Sequence, residues 1–183
     1  MIEILWYGRG GQGAFTAARL LGAAFSLRGG TNYALAFPSF GPERRGAPIR
    51  AFTKLDTKPI GNRSEIAKAD YIIFLDDTLF TEKTYRDLKP GGRILLNTKK
   101  EVSDDRIVAF DGDALAEEIL RRPITNTIML GAFAAVSGTV SLKNIEEAIR
   151  GSMPAKLQER NISAVQAAAK AVEGGRADET VLA

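Results

Sequence analysis

Six consecutive residues near the start of the chain, Gly8-Arg9-Gly10-Gly11-Gln12-Gly13, have the types and spacing for anion chemistry. Gly8, Gly10 and Gly13 fit the G-x-G-x-x-G spacing of phosphate-binding turns. A glycine takes the chain through backbone angles that a Cβ disfavours, and it lets the backbone approach a ligand closely. Amides at the start of the following helix then point outward and attract anions. The same spacing also makes a tight strand-to-helix turn that binds nothing, and spacing alone does not separate the two readings. Arg9 and Gln12 add a cation and an amide to this turn, and Arg44-Arg45 supplies a second basic pair inside a segment of prolines and glycines at residues 38–48. A guanidinium grips a phosphate or a carboxylate with the same fork. Asp76-Asp77, at the end of an apolar run, is a third candidate. It binds a metal or a hydroxyl, or it caps the next helix, and residue type favours the cap.

The chemistry the chain lacks is as informative. Its 183 residues include no cysteine and no histidine. It therefore has no thiolate for an iron–sulfur cluster, no disulfide, no thiol nucleophile and no imidazole base. Redox or acid–base work falls to Asp, Glu, Lys, Arg or Tyr, or to another chain, so no catalytic residue and no metal site are assigned. A dinucleotide fold expects an acid about 20 residues beyond its glycines, on the second strand, to hold the ribose hydroxyls. Here that strand reads Asn32-Tyr33-Ala34-Leu35-Ala36-Phe37, and the first acid after the glycines is Glu43. This argues against the rival reading, a stand-alone NAD(P)- or FAD-binding module.

The elements that must position these residues follow from pattern. The apolar run at residues 2–7 is a strand, and Ala14, Ala17, Ala18, Leu21 and Phe25 form one face of a helix that ends at Gly29-Gly30. The second strand follows at once, giving a right-handed β-α-β unit. Prolines and glycines at residues 38–48 forbid the helix a parallel crossover commonly uses, so the strand at 49–54 is expected to run antiparallel to a neighbour. Further strands are read at 71–75, 93–97 and 107–110, and helices at 64–68, 79–88, 114–121, 128–136, after Ser141, and at 155–173, stopping at Gly174-Gly175. Asp113 is read as an N-cap; the order Asp111-Gly112-Asp113 inverts the G-D-G start of thiamine diphosphate motifs. Phe37 and Phe40 beside Arg44 and Arg45 make either a contact surface or ordinary core with solvated cations. The fold class is α/β, a three-layer sandwich with a Rossmann-like, mostly parallel but mixed β-sheet. One domain is expected over 1–183, with 176–183 as a flexible tail. A net charge of +3 is too mild to argue for nucleic acid. No apolar run approaches the ~20 residues that span a bilayer, and the first strand carries Glu3 with no basic leader. A cytoplasmic location is expected.

Taken together, the glycine turn and Pro38-Ser39-Phe40-Gly41-Pro42-Glu43-Arg44-Arg45-Gly46-Ala47-Pro48 resemble the gamma subunit of 2-oxoacid:ferredoxin oxidoreductases, in particular the pyruvate or 2-oxoisovalerate type. The likeness extends through Lys58-Pro59-Ile60, Leu75-Asp76-Asp77-Thr78-Leu79, Lys89-Pro90-Gly91-Gly92 and Asn126-Thr127-Ile128-Met129-Leu130-Gly131. The 2-oxoglutarate and indolepyruvate versions tend to have Arg-Gly-Gly where this chain has Arg45-Gly46-Ala47-Pro48. The resemblance implies a complex that decarboxylates a 2-oxoacid on thiamine diphosphate with Mg, passes electrons through iron–sulfur clusters to ferredoxin, and releases an acyl-CoA. It also implies that those cofactors sit on alpha, beta and delta partner subunits. This chain would then supply subunit interface and a surface facing coenzyme A, with Gly8 to Gly13, Arg44 and Arg45 as the contact residues.

Overall fold

The computed structural model describes residues 1–39 and 45–181, with side chains through residue 174. Six strands form one sheet: β1 (Ile2–Arg9), β2 (Tyr33–Pro38), β3 (Pro48–Asp56), β4 (Ala69–Phe74), β5 (Leu88–Asn97) and β6 (Ile107–Phe110), in the order β2-β3-β1-β4-β5-β6. β1, β4, β5 and β6 are parallel neighbours, whereas β3 is antiparallel to both β1 and β2. The mixed, mostly parallel sheet read from the sequence is therefore present. One consequence was not legible: β3 sits between β1 and β2, so the second strand of the β-α-β unit is displaced one place from the first.

Alternation along the strands builds two cores. Ile4, Trp6, Ile73 and Leu95 face the helical layer, and Leu5, Ile72, Phe74, Ile94 and Leu96 face the other side. The helical layer contains α1 (Ala14–Ser26), α3 (Asn126–Ser137), α4 (Leu142–Ser152) and α5 (Ala155–Val181). A short α2 (Gly112–Leu115) continues as a π-turn, Ala116–Leu120, and packs on Ile128, Ala164 and Ala168. The five inward residues read for α1 are all buried. Small residues lead that face, and Gly131 of α3 lies against the backbone of Val165 in α5.

The opposite face is covered differently from expectation. Residues 79–88 are not an α-helix but two 3-10 turns, Asp77–Leu79 and Glu82–Asp87. Thr81 and Thr84 cap each other reciprocally. Phe80 packs edge-on to Phe74 and to Tyr85, at centroid distances of 5.6 and 5.9 Å. That aromatic packing and the local threonine caps outweigh a weak helical period. Residues 64–68 are not helical either: the Asn62 side chain accepts from the Ser64 amide and hydroxyl, at 2.9 and 2.6 Å, and turns the chain so that Ile66 enters the core. Asp111, not Asp113, caps α2, accepting from the Ala114 amide at 2.9 Å. α5 continues through Gly174-Gly175 to Val181, because the modest penalty of two glycines does not offset the helix-formers on either side.

Candidate functional site at the carboxyl ends of the strands

The carboxyl ends of β1, β4 and β5 converge on the start of α1, the place where open α/β sheets bind ligands. The glycine turn makes the bend there. Gly11 and Gly13 have φ of +97° and +82°, and a Cβ on Gly13 would lie 2.5 Å from the Asn126 side-chain nitrogen. Gly8 is needed for closeness instead: its Cβ would press on Leu75 and Ala14 at 3.2 and 3.3 Å. These are the requirements the spacing predicts.

The turn does not stand open as a cradle. Gly10 pairs with the arginine segment as an isolated parallel bridge to Arg45. Its amide donates to the Ala47 carbonyl at 2.8 Å, and its carbonyl accepts from the Gly46 amide at 3.0 Å. The Arg9 amide donates to Gln12 Oε1 at 2.6 Å. The two motifs that sequence singled out separately are thus hydrogen-bonded into one surface. Arg45 is exposed on it; Arg44 and Phe40 lie outside the described residues. Phe37 is half-buried and tilts against Phe52, with centroids 5.1 Å apart.

Arg9 is not a free cation. Its Nε donates to Asp76 Oδ2 at 2.9 Å, one terminal nitrogen to Thr78 Oγ1 at 2.7 Å, and the other to the Gly46 carbonyl at 3.2 Å. Gln12 Nε2 also donates to Asp76 Oδ2, at 3.3 Å. Asp76 in turn caps its own 3-10 turn, accepting from the Thr78 amide and hydroxyl. Partial burial pushes the Asp76 carboxyl upward, but hydrogen bonds from Thr78, Arg9 and Gln12 outweigh it and hold the group below its ordinary value. The cap favoured from sequence is present, with an ion pair to Arg9 added.

Beside this latch lies a cleft of about 400 Å³, lined by Gln12, Asp76, Asp77, Thr98, Lys100 and Asp113 among others. The Thr98 hydroxyl, donating to Asp77 at 2.7 Å, is the main reason that carboxyl is held low, and Lys100 at 3.2 Å adds to it. Asn97 ties the floor together, donating to the Leu75 carbonyl and to Asp113, and accepting from the Gly112 amide. Sequence reasoning missed Asn97, Thr98 and Asn126. The signal available was position alone: polar residues directly beyond the apolar run of β5, and at the start of α3. Among the described residues no cluster of three His, Cys, Asp or Glu side chains could hold a metal ion. Among the described residues, donors open to a ligand include the amides of Gly11, Gly13 and the first turn of α1, with Arg45 alongside and Lys99 on the cleft wall.

Comparison with known proteins agrees along nearly the whole chain. The family model for pyruvate ferredoxin/flavodoxin oxidoreductase matches residues 3–171. The chain is 42% identical over 176 residues to pyruvate synthase subunit PorC of Methanothermobacter thermautotrophicus, covering 94% of this chain and 97% of that one. It is 43% identical over 178 residues to the common gamma subunit of the pyruvate/ketoisovalerate oxidoreductases of Thermococcus litoralis, covering 92% and 95%. The crystal structure of pyruvate oxidoreductase subunit PORC from Thermotoga maritima superposes with a TM-score of 0.78 at 32% identity, over 92% of this chain and 95% of that one.

Proposed function

The chain belongs to the pyruvate ferredoxin/flavodoxin oxidoreductase family as a gamma-type subunit, and from that premise we propose which part of the reaction it serves. The complex oxidatively decarboxylates a 2-oxoacid, pyruvate or 2-oxoisovalerate, to an acyl-CoA and delivers the electrons to ferredoxin. Thiamine diphosphate, Mg and the iron–sulfur clusters belong to alpha, beta and delta companions. A chain with no cysteine or histidine has no thiolate or imidazole to ligate a cluster, and Asp111 and Asp113 accept hydrogen bonds from the Ala114 amide and the Asn97 side chain. The complex is cytoplasmic. Among the described residues no helix is long and apolar enough to cross a membrane.

This chain contributes the surface formed by Gly8 to Gly13 and the arginine segment, which faces the coenzyme A path and the companion subunits. The observation that carries this reading is the pairing of Gly10 with residues 45–47, which makes one face of two motifs. A phosphate at the start of α1 gains about 0.3–1 kcal/mol from the helix dipole, up to ~2 when partly buried. A charge-assisted bond from Arg45 or Arg44 adds roughly 1.5–3 kcal/mol. Arg9, held by Asp76 and Thr78, shapes the surface and does not grip the ligand.

Kinetics of the assembled complex carrying Arg45→Ala or Arg44→Ala test this directly. The expected result is a rise in KM for coenzyme A of roughly tenfold or more, with the subunits still associated and KM for the 2-oxoacid unchanged. An unchanged KM for coenzyme A, with gamma dissociating more readily, would reassign both arginines to the subunit interface.

A further inference from the structure

We propose that the outer edge of β2 is a second docking surface, and that it receives an extended segment bearing a carboxylate from a companion subunit. The proposal rests on the gamma-subunit reading and names the kind of contact that reading requires.

The backbone geometry defines the edge. The Ser39 amide donates to the Arg50 carbonyl at 2.8 Å, so in the antiparallel register Phe37, Leu35 and Tyr33 direct their backbone groups to β3. Ala34 and Ala36 therefore direct N–H and C=O outward, and no described residue bonds to them. Edge strands are normally blunted by charge, by shortness or by a covering element. β6, the opposite edge, is four residues long. β2 has six residues, no charged side chain and no buried residue. Its one proline, Pro38, is at the very end, where it leaves the two outward alanine amides intact.

A groove runs beside this edge. Ala34, Ala36, Gly22 and Met153 line a cleft of about 320 Å³ between β2, α1 and the end of α4. The alanine side chains lie against Gly22, where a Cβ would come within 3.4 Å of Ala34, so the floor is shallow and smooth. A strand added to β2 would set every second side chain into this cleft. Arg19 is the charged residue lining it, is exposed, and makes no ion pair among the described residues. No acid lines the cleft. A second copy of this chain paired edge to edge would bring Arg19 no carboxylate from either cleft, whereas an acidic partner strand satisfies it.

The test uses the chain co-expressed with its companion subunits. Ala36→Pro removes an outward donor without touching the β3 ladder, and Arg19→Glu reverses the charge at an exposed position. Each is expected to weaken retention of gamma by the tagged companions on the order of tenfold. In the wild-type complex, hydrogen exchange at Ala34 and Ala36 should slow on the order of 100-fold relative to the free chain. If Ala36→Pro does not fold, Arg19→Glu and the exchange data decide. Unchanged exchange together with wild-type retention of Arg19→Glu would overturn the proposal while leaving the subunit assignment intact. A free chain that dimerises and becomes monomeric in Ala36→Pro would also overturn it, making a second copy the occupant. Failure of the wild-type chain to join the companions at all would remove the subunit reading, and this proposal with it.

Discussion

All three nitrogens of the Arg9 guanidinium are engaged, on two pieces of chain: the turn after β4, at Asp76 and Thr78, and the segment leading into β3, at Gly46. Arg9, a candidate contact residue by sequence, acts within the chain as a clamp. Lysine cannot reproduce the fork, so both Arg9→Lys and Arg9→Met should lower stability. The bonds are partly solvent-exposed, which reduces their net worth to about 1–3 kcal/mol in total. At roughly 2–4 °C per kcal/mol for a chain of this length, thermal melting should fall by a few degrees. A melt identical to wild type would mean the clamp holds nothing. The Asp76 end of the clamp has a pH signature. Its carboxyl is held below the unfolded value of about 3.9. The stability it contributes is therefore complete above about pH 4 and is lost as pH falls through the folded value. Asp76→Asn should melt below wild type at pH 6, and the gap should narrow as pH drops below about 4. A gap of constant width across that range would show that the charge on Asp76 is not what stabilises the latch.

At the scale of elements, the α3–α5 crossing has the least tolerance. A Cβ on Gly131 would lie 2.2 Å from the Val165 carbonyl oxygen and 2.8 Å from its Cα, and neither backbone atom can swing aside as a side-chain tip could. Gly131→Ala should cost about 1–3 kcal/mol or more as the helices are forced apart, read as a lower midpoint in thermal or denaturant unfolding. A midpoint within error of wild type would show slack in the crossing. This same scale is where the sequence was least readable. α1 and α4 were legible because their apolar spacing agrees with the packing they meet, and α3 because it is apolar on nearly every side; in α4, Ser141 also accepts from the Asn144 amide as its position suggests. Residues 79–88 carried enough helix-formers to look helical, but their fate was set by Phe74, a partner in another element. The glycine turn was legible because φ and close approach are local demands. A shared surface with the arginine segment was expected, but the hydrogen bonds that join the turn to residues 45–47 were not legible, because the pairing joins chain positions more than 30 apart. Asn97 and Asn126 escaped for a like reason: each acts through a neighbour that only the fold supplies.

For the whole molecule, strand order decides what the glycine turn can serve. In a dinucleotide-binding fold the acid that holds the ribose lies at the end of the strand next to the turn. Here β3 occupies that place, so the end of β2 lies two strand spacings, or about 10 Å, from β1. The residues at β2's end are Phe37 and Pro38, which have no hydroxyl-binding group. The space directly beside Gly10 is filled by Ala47 and Gly46, whose backbones are bonded to it. A nicotinamide or flavin dinucleotide would therefore lose its ribose anchor and meet chain where its adenosine half must pass. What remains, a helix start with an exposed cation beside it, suits a terminal phosphate reaching in from outside. Titration of the isolated chain with NADH or NADPH should accordingly give no saturable binding below about 1 mM. The isolated chain should also show no 2-oxoacid oxidation, since its electrons would have no cluster to enter. Saturable micromolar binding of either nucleotide would mean that the turn opens away from residues 45–47, and would return the chain to the class of independent dinucleotide modules.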